Sequence, residues 1–130
     1  MKLIVALIAL VIAVPATAAP TQQQLMAGHW RSVDDPRSLI EIRADGTWID
    51  SYTGEPSATA TSRWLLFSGA KPPKTAAGET LDAKSIYLEV DDKDGGVLFY
   101  ALDRLDAKSL DLLYLDRGNT LRYTRVKSPP

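Results

Sequence analysis

Residues 28–52 read "GHWRSVDDPRSLIEIRADGTWIDSY". A Gly-x-Trp opens the stretch, "DDPR" interrupts it, and Ile40 and Ile42 then alternate with Glu41 and Arg43. Asp45-Gly46 follows, and a second tryptophan comes two residues later. Alternation of apolar and polar residues with period two marks a half-buried strand, and Asp-Gly supplies the positive φ that tight hairpins need. The stretch therefore reads as three short antiparallel strands.

The same rhythm runs outward to the end of the chain. Eight strands are expected: Gly28–Val33, Ser38–Ala44, Thr47–Thr53, Ala58–Ser68, Lys84–Asp91, Gly96–Asp103, Lys108–Leu115 and Thr120–Lys127. "TGEPS", "DKDGG" and "DRGN" punctuate them. Ile86, Leu88 and Val90 share one face. Residues 96–102 are apolar on both faces, which fits a strand buried on two sides or a contact strip. A two-residue Arg117-Gly118 turn would pair Tyr114 with Leu121, Leu112 with Tyr123 and Leu110 with Arg125. Thr21–Ala27 has room for a short helical turn with Thr21 as N-cap. The long connection 69–83, "GAKPPKTAAGETLDA", carries two prolines and two glycines and reads as a functional or mobile loop. The fold expected is all-β: a single antiparallel meander of about eight strands, closed into a barrel so that no edge is exposed, with a two-sheet sandwich as the alternative.

The first residues read differently. Lys2, an apolar run from Leu3 to Val14 and the A-x-A of Ala16 and Ala18 form an export signal cut after Ala18. Residues 19–27 then lead into a barrel over 28–127, and 128–130 are a tail. Of 15 basic residues one is Lys2, so the mature 112-residue chain sets 14 against 16 acidic residues and carries −2. That balance gives no electrostatic case for nucleic acid or an anionic membrane, and none for membrane insertion once the signal is removed. Cysteine is absent, so the domain has no disulfides, and a bacterial periplasm or the outside medium is the expected location.

Gly28-x-Trp30 opening the first strand after a short helical turn, "DGTW", Arg63-Trp64 and the closing "LDLLYLDRGNTLRYTRV" resemble the small bacterial lipocalin-like domains of the calycin type. The resemblance covers 28–127. It implies that Gly28 and Trp30 lie across a closed barrel end, with an arginine near the last strand packed over the tryptophan. Arg125 is the matching position and Arg122 the second choice. The Gly-x-Trp start is similar also to that of small eight-stranded inhibitors of secreted metalloproteases.

What remains is a choice of site. Trp64, Phe99, Tyr114 and Tyr123 are candidates for an interior ligand wall, each with ordinary core packing as its bland role. Trp48 is open: a two-residue Asp45-Gly46 turn sets it opposite Arg43 and outward, as a surface contact, whereas a bulge turns it inside. His29 is the sole histidine, too few for a metal site or a Ser-His-Asp triad. "DDKDGG" fails the calcium-loop pattern because Val90 holds its first ligand position and Ala101 its twelfth. Asp34/Asp35 and Asp103/Asp106 read as turn residues. No enzyme and no cofactor is expected. The leading expectation is a binder of a small apolar ligand, entered near the 69–83 loop. The alternative is a barrel filled by its own side chains that binds a protein through residues 19–28 or Trp48, for example as a protease inhibitor. An envelope accessory role comes third.

Overall fold

The structure, a computed structural model, describes residues 19–92, 94 and 96–127. Residues 1–18, where an export signal is expected, and residues 128–130 lie outside the described residues. One short helix, α1 (Gln22–Met26), precedes eight strands: β1 (Gly28–Ser32), β2 (Ser38–Ile42), β3 (Thr47–Tyr52), β4 (Ala60–Ser68), β5 (Ile86–Asp91), β6 (Val97–Leu105), β7 (Ser109–Tyr114) and β8 (Thr120–Val126). Each strand pairs antiparallel with the next, and β8 returns to β1, giving a closed meander barrel.

Thr21 caps α1 through a reciprocal box: its hydroxyl accepts from the Gln24 N–H at 3.2 Å, and the Gln24 side chain accepts from the Thr21 N–H at 2.9 Å. The helix then lays Met26, fully buried, across the barrel end. Trp30 is also fully buried, and its indole N–H donates to the Met26 carbonyl at 2.9 Å. Arg125, opposite Trp30 in the β1–β8 register, stacks its guanidinium 4.1 Å from the ring centroid. The same guanidinium donates to the carbonyls of Ala107 and Ala27, both at 2.7 Å, and to that of Leu25. Gly28 makes this possible: its φ is +146°, and a Cβ there would sit 2.3 Å from Arg125 Nη1. Trp30, Gly28 and Arg125 thus come together with α1 at one end of the barrel.

Above this plug the interior is filled. Ile40, Ile42, Trp48, Trp64, Leu88, Val90, Leu110 and Leu112 form one apolar cluster with Met26 and Trp30. A register shift in β6 between Leu102 and Arg104 lets Leu102 and Leu105 both pack against it. The last hairpin is shifted from the sequence expectation. Leu110 pairs with Tyr123 and Leu112 with Leu121, two residues away from the two-residue-turn register. A wider turn is the reason: the Gly118 N–H, at φ +70°, bonds to the Tyr114 carbonyl at 2.8 Å. A shift of two keeps every side chain on its face.

The 69–83 connection is also not where expected. It joins the end of β4 to the start of β5, so it leaves from the plugged end rather than an entrance. It contains a 3-10 turn, Lys74–Ala76, and packs Ala76 and Leu81 on the outer face of β4–β6 against Phe67, Tyr87 and Phe99. Phe67 stacks on Tyr87 with centroids 5.7 Å apart and meets Phe99 edge-on at 6.1 Å. The Tyr87 hydroxyl accepts from the Asp82 N–H at 2.8 Å. Gly69 presses on the other strand of this loop, where an added Cβ would lie 1.9 Å from the Asp82 carbonyl oxygen. β6 is therefore apolar on both faces because both are covered.

Two substitutions test these devices. Arg125→Lys keeps a charge but cannot bridge three carbonyls over the indole, and is expected to lower urea-unfolding stability by about 2–3 kcal/mol. Gly69→Ala forces the 69–83 loop away from β4 and is expected to cost about 1–3 kcal/mol in the same measurement, as overpacking does.

Candidate functional site

The other end of the barrel is lined by the ends of β1, β3, β5 and β7 and the starts of β2, β4, β6 and β8. The filled interior stops short of it. A cavity of about 150 Å³ opens there, with Trp48, Val90 and Leu98 at its base and sides, Asp50, Ala60 and Asp92 toward the mouth, and Ser62, Tyr100 and Tyr123 on its walls. A wider, open groove of about 460 Å³ runs over the rim between Arg37, Tyr52, Glu55 and Ala58, and Asp50 borders both spaces.

The β2–β3 turn creates this arrangement. It is a bulged loop, not a two-residue one: the Gly46 N–H bonds to the Arg43 carbonyl, Gly46 takes φ +95°, and the Arg43 N–H bonds to the Thr47 carbonyl. The Asp45 carboxylate accepts from the Thr47 N–H at 3.0 Å and fixes the turn. The extra residue sets Ile42 opposite Trp48 and Ile40 opposite Asp50. Trp48 is therefore an interior residue, 4% exposed, and the reading of it as a surface contact is corrected. Its indole N–H donates to Asp50 Oδ2 at 3.1 Å, which orients the carboxylate at the mouth.

The other sequence candidates separate. Tyr123 lines the cavity. Tyr114 faces inward but supports the wall from behind, its ring 5.3 Å from that of Tyr100 and its hydroxyl donating to Asp116 at 3.4 Å. Trp64 is interior but lies toward the plugged end, where its N–H donates to the Arg43 carbonyl at 2.8 Å. Phe99 is on the outside of the barrel, beneath the 69–83 loop, and its place as an interior wall is corrected. The β5–β6 register decides this: Leu88 faces Tyr100, so Tyr100 points in and Phe99 out. His29 is on the outer face, 3.7 Å from Glu41. Among the described residues no group of three or more His, Cys, Asp or Glu side chains could hold a metal ion. Asp35 and Asp106 accept backbone N–H groups in their own turns.

Sequence reasoning missed Asp50, Ser62, Tyr100 and Asp92. A three-residue reading of "ADG" would have put Trp48, Asp50 and Tyr52 on the inner face together.

The electrostatics of the cavity follow from its walls. Partial desolvation at the cavity mouth pushes the Asp50 carboxyl above the usual carboxylate range, although the residue itself stays exposed; the Trp48 N–H opposes this and the Asp92 charge adds to it. Burial likewise pushes the Tyr123 phenol up to about 12, with Asp50 adding to the shift. Tyr100 moves up for the same first reason, then through Tyr123, Asp50 and Tyr114. Both phenols are neutral hydrogen-bonding groups at neutral pH. Neither hydroxyl has a partner among the described residues, nor does that of Ser62, although Ser62 is 6% and Tyr100 9% exposed.

The chain matches no protein-family model, no curated protein and no solved structure.

Proposed function

We propose that this protein is an exported, lipocalin-like barrel that binds one small ligand, about the size of a single ring, in the cup at its open end. The observation that carries the reading is the pair of hydroxyls on Ser62 and Tyr100. Both side chains are more than nine-tenths buried, both face the cavity, and neither has a protein partner among the described residues. Neither oxygen is sealed away, since Arg31 Nε is the one fully buried side-chain polar atom without a partner among the described residues. Two hydroxyls on buried residues, open to one cavity and left free by the protein, support a site whose partners come from what it holds.

Size narrows the expectation of a deep apolar cup. Sites for drug-sized molecules run to about 300–1,000 Å³. A cavity of roughly 150 Å³ suffices for a benzene-sized body. The ligand in this reading is small, enters at the end away from the 69–83 loop, and meets polar groups as well as rings. The signal segment and the absence of cysteine support export to a periplasm or the medium.

A second reading keeps some support. The lower barrel is filled, and Val33 and Leu65 are exposed at 52% and 42%. A protein-binding surface, including one that inhibits a protease, would use such residues. Isolated exposed apolar side chains are common, however, and these two carry little weight.

The protein, expressed from its full sequence and purified natively, is expected to show in native mass spectrometry a small mass excess that vanishes on denaturation. Ala60 is exposed at the mouth. Ala60→Trp is expected to abolish the excess while moving the thermal midpoint by no more than a few degrees, as surface changes do. An excess that survives Ala60→Trp would place the ligand elsewhere.

A further inference from the structure

Resting on that reading, we propose that the cup takes a small organic amine, bound as its cation, with the ammonium group at Asp50 and the body against Trp48, Tyr100 and Tyr123.

Charge is the first reason. Two carboxylates, Asp50 from β3 and Asp92 from the β5–β6 turn, border the cavity, and no lysine, arginine or histidine is among the described residues that line it. Arg37, which borders the rim groove together with Asp50, is already engaged: its guanidinium sits 4.6 Å above the Tyr52 ring and donates to the Thr53 carbonyl at 2.9 Å. Asp50 accepts one hydrogen bond, from Trp48 to Oδ2, and forms no ion pair with a described residue. An anionic ligand would meet repulsion from these two carboxylates.

Hydrogen bonding is the second. An ammonium group brings donors and no acceptor. The cup presents a carboxylate oxygen and the hydroxyl oxygens of Ser62 and Tyr100, each free to accept. A purely apolar ligand would strip water from all three and return nothing. The rings are the third: an indole and two phenols offer π faces to a cation. A metal ion fits less well, because two carboxylates fall short of the six to eight oxygens that a calcium site assembles.

The Asp50 pKa is raised in the folded state, so the stability it contributes is present at low pH and is lost as pH rises through that value; the residue is exposed at the mouth, and solvent screens the effect. Asp50→Asn retains an acceptor for the Trp48 N–H, and its thermal midpoint at neutral pH is expected to equal or exceed that of the parent.

The test is calorimetric titration of the full protein with three single-ring probes of one shape: benzylamine, benzyl alcohol and benzoate. Benzylamine is expected to bind about tenfold or more tightly than benzyl alcohol, with benzoate weakest. The preference is expected to disappear in Asp50→Asn. It is also expected to weaken as pH falls through the raised Asp50 value, while benzylamine itself stays protonated. The groups facing Asp50 are Asp92 across the mouth, Tyr100 and Tyr123 from β6 and β8, and Arg37 and Glu55 over the rim; β2 and β4 present Ile40 and Ala60. Equal affinity for the amine and the alcohol in the parent protein would overturn the amine and leave the cup as a ligand site. Binding of none of the three would remove both. Displacement of benzylamine by calcium chloride, beyond the effect of an equal ionic strength of sodium chloride, would assign the carboxylates to a metal and overturn the proposal.

Discussion

A single guanidinium holds the closed end of the barrel. Arg125 comes from the last strand, yet it binds carbonyls of α1, of the residue that follows it and of the β6–β7 turn, and covers the indole of Trp30. The contact needs a residue without a side chain at position 28, because any Cβ there would meet Nη1. It needs Trp30 turned inward, which the Met26 carbonyl secures. With this end plugged and the three tryptophans buried, the interior has little room left, and what space remains is displaced to the opposite end. The plug therefore determines where a ligand can go, although it touches none.

The packing of the two ends divides the chemistry as well. The lower interior is apolar and internally satisfied: the indole N–H groups of Trp30 and Trp64 are both spent on backbone carbonyls. The third indole differs. Trp48 gives its N–H to a carboxylate at the mouth, and around that pair lie hydroxyls that no described residue claims. A fold seeking only stability would place aliphatic residues at the buried positions 62 and 100. Departure from local consistency at one place in an otherwise consistent fold is the usual mark of a site.

The strands, the helical cap and the closure were legible in the sequence because each rests on a local signal: alternation, a turn dipeptide, a Thr-x-x-Gln box, a glycine two residues before a tryptophan. The site was less so, for reasons of register. A hairpin turn one residue longer reverses the faces of everything beyond it, so Trp48 and Asp50 depended on whether Gly46 bulged. The last hairpin erred by two residues, and its faces survived. β6 offered no alternation at all, since Phe99 outside and Tyr100 inside are both aromatic, and only pairing with Leu88 tells them apart. The 69–83 loop showed its length but not its end of the barrel, which depends on counting strands.

The seam between β1 and β8 has a further consequence, for the order in which the molecule is built. Its contacts join Ala27 to Arg125, 98 positions apart, and Trp30 to the same residue. Seven strands can form hairpins as they emerge, but the sheet stays open, with two unpaired edges and an uncovered Trp30, until the final strand arrives. Closing so long a loop is entropically slow, and chains rich in such pairings fold in about milliseconds to seconds rather than microseconds. Folding therefore waits for the carboxyl-terminal strand. A sheet that cannot close before its eighth strand is in place leaves both of its edge strands open to wrong pairing until then.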